Sequence, residues 1–337
     1  MALTKITNDL LDLGSDTGAL GLPKGTEAER PSNPLEGTLR HNSEIDETKL
    51  ETFDGTDWRK INKFVPVYDI DYLVVAGGGG SGGGTSGGGG AGGLRTSYGS
   101  TSGGGAAPEN SLTITPSTEY VIVIGAGGLG SPTDGGNGTS GANSSFDSIT
   151  SIGGGGGQHG NVGLNGGSAG GNGYGSIDPN TVGQGTSGQG FDGGAGQRPP
   201  YYTCGGGGGA SQDGGDASNY VGGTGGNGLQ VSINGTATYY AGGGAGGTNS
   251  GTVNGGLGGG GNSVDEQNGQ AGAVNTGGGA SGPGGNSVLD GANGGSGIVI
   301  LRMPTSNYSG TTTGSPTVTT DGTDTILTYT SSGTYTA

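Results

Sequence analysis

Four long glycine tracts, Gly77–Gly93, Gly125–Gly141, Gly153–Gly228 and Gly242–Gly297, limit what this chain can fold into. Glycine offers no side chain to bury and loses more backbone freedom on ordering than any other residue. Of the 92 glycines in 337 residues, 82 fall between residues 72 and 303. That is about 35% of the span, against the usual ~7%. Leu, Ile, Val and Phe are too few to fill the cores that this length normally implies, which argues against an ordinary α/β enzyme. Collagen is excluded too, because the glycines keep no sustained three-residue period and there are only 13 prolines.

Apolar, β-rich runs interrupt the glycine. They are Asp71–Ala76, Ser111–Thr115, Glu119–Ile124, Ser145–Ile149, Leu229–Ile233, Thr238–Ala241 and Gly297–Arg302. Seven such runs suit a small β-sandwich. The first and last are continuous rather than alternating, so they are expected as central strands buried on both faces. Asn234-Gly235 reads as a two-residue hairpin turn joining 229–233 to 236–241. Two conformations compete for the glycine between the runs. One is disorder. The other is a lattice of polyproline-II-type (polyglycine-II) helices, in which strands without Cβ atoms approach closely enough for interchain N–H···O=C bonds to replace an apolar core. Each tract is tethered at its ends to a β-run, which favours the lattice over a free linker.

Composition divides the chain into an arm (1–21), a small β-module (22–71), the glycine-rich domain (72–303) and a Thr/Ser/Tyr-rich β segment (304–337). The first 71 residues hold eight of the eleven basic residues and the single Trp. Strands are expected at Gly37–Asn42, Lys49–Phe53 and Trp58–Ile61, with Asp54-Gly55-Thr56-Asp57 as a hairpin turn. Three short strands around Leu39, Phe53 and Trp58 are too small to be stable alone. Those three residues are therefore the expected core of an oligomer contact.

The formal net charge of −16 argues against nucleic acid and anionic membrane surfaces as partners. A single cysteine, Cys204, excludes an intrachain disulfide framework and a multi-Cys zinc site. The N-terminus has no apolar core of a signal peptide, and no run of eighteen apolar residues occurs, so membrane insertion is not expected.

Two segments carry a family resemblance. Leu22-Pro23-Lys24-Gly25-Thr26-Glu27-Ala28-Glu29-Arg30-Pro31, with Gly37–Asn42 and Phe53–Trp58, resembles a β-module of bacteriophage tail fibres and other virion proteins. Asp71–Gly80 through Gly294–Arg302 resembles the glycine-rich domain of marine phage structural proteins, and Tyr329–Thr336 is similar to their β-strand ending. The resemblance implies a virion surface fibre or adhesin, typically a homotrimer. It would be joined to other virion proteins through its N-terminal region and would face a host surface glycan or outer-membrane protein. It carries over no binding residue by position.

Little in the sequence suggests catalysis. His41 and His159 are far apart and neither adjoins a nucleophile motif. Gly-x-Gly-x-x-Gly recurs as composition dictates, without the strand–helix context of a dinucleotide site, and no Gly-Lys-Ser/Thr phosphate loop exists. Asp213, Asp216, Asp265, Glu266 and Asp290 lack the calcium-binding nonapeptide, so neither a metal nor a cofactor is expected. Gln197-Arg198-Pro199-Pro200-Tyr201-Tyr202-Thr203 stands out as a stiff aromatic loop. Tyr and Arg give large contact area with polar reach, so Arg198, Tyr201 and Tyr202 are candidate receptor contacts, with Tyr98, Tyr174, Phe191 and Tyr220 in similar interruptions. Packing on the lattice or at a subunit interface is the other reading of the same aromatics. The expectation is a mainly-β, non-enzymatic virion fibre that attaches the particle to its host. The alternative is a capsid decoration or head fibre without a dedicated receptor.

Overall fold

The computed structural model describes residues 22–44, 50–61, 67–176, 178, 180–285 and 288–337; the expected arm 1–21 lies outside them. The chain forms two compact units, residues 1–66 and 67–337. The expected boundary at 71/72 therefore moves to 66/67, because the strand expected from Asp71 starts at Tyr68. Segment 304–337 is not separate, since its strands complete both sheets of the second unit.

The first unit is a four-stranded sheet of β1 (Lys24–Gly25), β2 (Leu39–Asn42), β3 (Leu50–Phe53) and β4 (Trp58–Lys60), in that order. The turn joining β3 to β4 is the one the Asp-Gly pair predicts. Asp54 Oδ1 accepts from the N–H groups of Thr56 and Asp57, at 2.9 and 2.7 Å. Cross-strand register then separates the three expected core residues. Arg40 stands opposite Glu51 and Phe53 opposite Trp58. On that face the Phe53 and Trp58 rings lie 5.7 Å apart and the Arg40 guanidinium sits 5.7 Å over Trp58. The other face carries Leu39 and Leu50, both exposed. The residues most buried here are polar: Arg40, Asn42 and Glu51. Glu51 meets Arg30 at 2.7 Å, Arg40 at 3.3 Å and the Asn42 amide at 3.0 Å. The hydrogen bond from Arg30 is the main reason its carboxyl titrates below the usual 4.5.

The second unit is a two-sheet sandwich carrying a glycine lattice. Its strands are β5 (Tyr68–Val75), β6 (Leu94–Thr96), β7 (Leu112–Ile114), β8 (Glu119–Val123), β9 (Ser144–Phe146), β10 (Ile149–Ser151), β11 (Leu229–Val231), β12 (Thr238–Tyr240), β13 (Thr252–Val253), β14 (Ser263–Val264), β15 (Ile298–Pro304), β16 (Thr311–Thr312), β17 (Thr317–Asp321), β18 (Asp324–Tyr329) and β19 (Gly333–Thr336). One sheet runs β17-β18-β15-β5-β6, with β7 also on β5; the other runs β10-β9-β8-β19-β16. β5 and β15 pair at the centre, Ile298 opposite Val75 through Arg302 opposite Asp71.

Both faces of this central pair are buried, which explains its unbroken apolar sequence. Tyr72, Val74, Val299 and Leu301 meet Ile122, Phe146 and Tyr335 of the second sheet. Leu73, Val75, Ile298 and Ile300 meet Val231, Ile233 and Tyr240 on the opposite side. Two expected runs differ in detail. Ser145–Ile149 is not one strand but the turn region of the β9–β10 hairpin, with Asp147 at φ +50°. The β11–β12 register is centred on Asn234-Gly235 as expected, but the ladder stops at Val231 opposite Thr238.

The glycine segments obey a strict hydrogen-bond rule. In Gly87–Gly93, Gly87, Gly90 and Gly93 donate to Gln158, Gly155 and Ile152. Gly88 and Ala91 donate to Gly205 and Gly208, and Gly89 and Gly92 to Ala280 and Gly277. Ala76 and Gly79 donate into this segment from a fourth neighbour, Ser168 and Gly171 from a fifth, and Gly244 from a sixth; all these bonds are 2.8–3.0 Å. Every third N–H thus reaches the same neighbour, the period of an extended helix with three residues per turn. Six neighbours surround one segment, and a side chain has no room between them. A Cβ on Gly89 would run into the Gly79 carbonyl, and one on Gly92 into the Ala76 carbonyl. Ala91, the only side chain in Gly87–Gly93, instead enters the apolar cluster under the sheet.

Lattice segments at the rim lack a full set of neighbours, and side-chain amides and carboxylates take their place. Asn143, Asn172 and Asn293 Oδ1 accept from the N–H groups of Gly153, Gly163 and Gly130, at 2.8–2.9 Å. Asp192 and Asp216 Oδ1 accept likewise from Gly185 and Ala195, at 2.8 and 2.7 Å.

Two predictions follow from this packing. Gly89→Ala is expected to lower stability by at least ~2 kcal/mol, since backbone cannot yield as a side chain does. Gly160→Ala, whose Cβ would meet nothing within 4 Å, is expected to stay within ~0.5 kcal/mol of wild type; scanning calorimetry separates the two. In the first unit, Glu51→Gln is expected to cost about 3 kcal/mol, because it leaves Arg40 buried beside a neutral group. A folded-state pKa below 4.5 means that the Glu51 contribution is complete above that pH and fades as pH falls through the folded value. Thermal melts followed by fluorescence of Trp58, the single tryptophan, are therefore expected to fall in acid. They should fall less steeply in the Gln variant, where Glu29 and Asp54, also titrating low, still contribute.

Candidate functional site

The sandwich strands and the β11–β12 hairpin meet the lattice at one end, and among the described residues only the short β13–β14 pair lies at the other. β5, β8, β10 and β12 run out into glycine, and β6, β9, β11 and β15 run back from it. Segment 76–83 turns over and returns as 86–93, bonded antiparallel through Ala76 to Gly93 and Gly79 to Gly90. The Gly83–Ser86 turn therefore lies at the end away from the sheets, and a chain of contacts places other loops beside it. His159 Nδ1 lies 2.9 Å from the Gly83 carbonyl oxygen. Its ring meets Tyr174 edge-on at 5.1 Å, and Tyr174 meets Tyr202 at 5.4 Å. On the adjoining side Tyr201 and Tyr220 pair edge-on at 5.2 Å. These offset and perpendicular arrangements are the ones ring quadrupoles favour.

The loop frames are fixed by main-chain contacts. Gln197 N–H donates to the Thr203 carbonyl at 2.7 Å, closing the loop that holds Arg198, Tyr201 and Tyr202. The Asn249 amide donates to the Tyr201 carbonyl at 2.6 Å, and Thr203 Oγ1 to the Asn219 carbonyl at 2.8 Å. Tyr202 is at φ +48° and Asn219 at φ +54°. The left-handed region costs a bulky L-residue roughly 1–2 kcal/mol, which the surrounding lattice bonds offset. Strained backbone of this kind concentrates at binding sites.

Of the seven residues singled out from sequence, Tyr174, Arg198, Tyr201, Tyr202 and Tyr220 come together at this tip. Tyr98 does not: its ring lies 5.3 Å from the Arg302 guanidinium at the edge of the central sheet. Phe191 also lies toward the sheets, just after a turn whose Gln189 carbonyl accepts from Leu94 N–H. Three tip residues not assigned from sequence are His159, Asn249 and Asp216. Asn249 gave no local signal, because its role is to hold a loop 48 residues away. Asp213 and Asp216, weighed above as calcium ligands, instead accept from the backbone N–H groups of Asp192 and Ala195. Cys204 is fully buried in the lattice below Thr203, and desolvation drives its thiol pKa upward, so it is inert at neutral pH.

Beside the tip, Ala195, Gly196, Gln197, Arg198, Pro199 and Tyr201 face Asp216 and Ala217 across a pocket of about 430 Å³. A smaller groove of about 260 Å³ adjoins it, lined by Asp192, Asp213 and the shared Asp216. Arg95 is paired with Glu109, and Arg302 with Asp321 and Asp324. Arg198 is the one cation of the second unit without an acidic partner among the described residues.

Neither the curated proteins nor the solved structures contain a match to this chain. The profile of the glycine-rich domain family matches residues 60–304, which takes in β5, the lattice and β15. The chain belongs to that glycine-rich domain family.

Proposed function

We propose that the protein is a non-enzymatic surface fibre of a bacteriophage virion, attaching the particle to its host through the loops at the lattice tip. The observation that carries this reading is the convergence of Tyr174, Arg198, Tyr201, Tyr202 and Tyr220 at the end of the lattice away from the sandwich sheets. Aromatic and Arg side chains on a rigid frame are what binding hot spots use. The phage setting rests on the resemblance of the N-terminal module and glycine-rich domain. The three-residue hydrogen-bond period supports reading the lattice segments as polyglycine-II-type helices. The module is read as the link to other virion proteins and as the clasp of a homotrimer, since Leu39 and Leu50 stand exposed on one face of its sheet. The partner on the host is a surface glycan or an outer-membrane protein.

Tyr202 and Tyr220, 37% and 51% exposed, test the tip. Replacing both by Ala is expected to weaken binding of the purified protein to host cells by about thirtyfold or more, with the melting temperature lowered by only a few degrees for the two lost ring contacts. Unaltered cell binding would remove the tip from the attachment role and favour a purely structural decoration. The solution mass by light scattering is expected to be three times the 32.0 kDa of one chain. Leu39→Asp with Leu50→Asp is expected to return it to the monomer value.

A further inference from the structure

The pocket between Gln197–Tyr201 and Asp216–Ala217 has a chemistry more specific than attachment in general. We propose that it binds a single neutral pyranose unit of a surface polysaccharide. The proposal rests on the attachment reading of the tip and names the class of ligand there.

A pyranose has an apolar C–H face and a rim of hydroxyl groups that both donate and accept. The pocket offers a counterpart to each. Tyr201 supplies an aromatic wall, held by the edge-on contact with Tyr220 and by the Asn249 amide on its carbonyl. Asp216 supplies a carboxylate whose Oδ1 is fixed by Ala195 N–H at 2.7 Å, leaving Oδ2 to accept from hydroxyls. Arg198 supplies donors with no side-chain partner among the described residues. An orphaned acceptor belongs to a residue of the same wall: Gln197 Oε1 is buried and has no partner among the described residues. Unmet buried acceptors are rare in folded proteins, and a bound water, ion or ligand is among their ordinary explanations. The size agrees, since about 430 Å³ falls near the lower end of the ~300–1,000 Å³ range of small-ligand sites.

Charge selects within the saccharides. A net charge of −16 and the groove of Asp192, Asp213 and Asp216 next door disfavour uronic or sialic acids. A neutral hexose or N-acetylhexosamine meets no such repulsion, and its hydroxyls match an acceptor-rich wall with one cation.

Saturation-transfer NMR and calorimetry on the full-length protein test the site. The probes are the methyl glycosides of glucose, galactose, mannose and N-acetylglucosamine, with methyl glucuronide as the charged control. At least one neutral glycoside is expected to bind, with methyl glucuronide weaker by about tenfold. Asp216→Asn keeps the oxygen that caps Ala195, and Arg198→Ala removes an exposed side chain. Each is expected to weaken sugar binding by about tenfold or more without moving the melting temperature. Absence of binding to any neutral glycoside, preference for the glucuronide, or binding that survives both substitutions would overturn the proposal. Host-cell binding that persists in the two variants, with no sugar bound by wild type, overturns the pocket and leaves attachment standing. Sugar binding without host-cell binding sustains the pocket and overturns attachment.

Discussion

Backbone-to-backbone hydrogen bonding at the closest approach two chains can make governs the larger unit of this protein. An ordinary interior is filled by side chains that bury apolar area at ~25 cal/mol/Å². Here Gly87–Gly93 has a single side chain to bury, that of Ala91, and each residue places its N–H on a neighbouring carbonyl at 2.8–3.0 Å. Such bonds contribute only ~0.5–1.5 kcal/mol each, while glycine brings the largest ordering cost of any residue. The lattice is therefore cooperative, since the N–H and C=O groups of an interior segment are met only where its neighbours are in place. The β-sandwich supplies the start. Its strands fix the ends of the first segments in register, and the apolar clusters around Tyr72 and Ile300 give the cohesion that glycine lacks.

A lattice of finite width has a rim, and the rim explains much of the non-glycine sequence. An interior N–H finds a neighbouring carbonyl; a rim N–H does not, and leaving it unmet is costly. Short side chains with an oxygen two bonds from Cβ reach back to the backbone without adding bulk between segments. Asn143, Asn172, Asn293, Asp192, Asp213 and Asp216 all do this. Aspartate serves as well as asparagine in this role, so a share of the negative charge is a by-product of satisfying backbone donors. Of the carboxylates read in isolation as possible metal ligands, Asp213 and Asp216 are, in place, structural acceptors.

The sequence was most legible where a local rule decides the outcome. Unbroken apolar runs at 71–76 and 297–302 mark a strand pair buried on both faces, and the structure places them at the sheet centre. Asp54-Gly55 marks a turn because an aspartate oxygen and a positive-φ glycine act within four residues. Legibility ended where the outcome depends on distant partners. Leu39, Phe53 and Trp58 read as one apolar group, but register puts Leu39 on the face opposite the other two, and the buried positions go to Arg40, Asn42 and Glu51. That ionic cluster carries no local signature, since each charge taken alone reads as exposed. Tyr98 and Tyr174 sat in similar interruptions of glycine. Only the count of turns taken by the lattice sends one to the sheets and the other to the tip.

The same lattice shapes what the tip can do. A loop on a flexible stalk must lose conformational freedom on binding, and that loss is subtracted from its affinity. The loop from Gln197 to Thr203 has little left to lose. Gln197 N–H is tied to the Thr203 carbonyl, the Tyr201 carbonyl to Asn249, and the chain on either side is clamped by backbone bonds to neighbouring segments. Tyr202 holds a left-handed conformation that a free peptide would abandon, so the scaffold maintains a shape the loop's own sequence does not prefer. Within such a frame the loop residues are released from any duty in the core, because the glycine backbone beneath them supplies the cohesion. Side chains at the tip can therefore change chemistry without changing the fold, provided that the glycines below them do not acquire a Cβ.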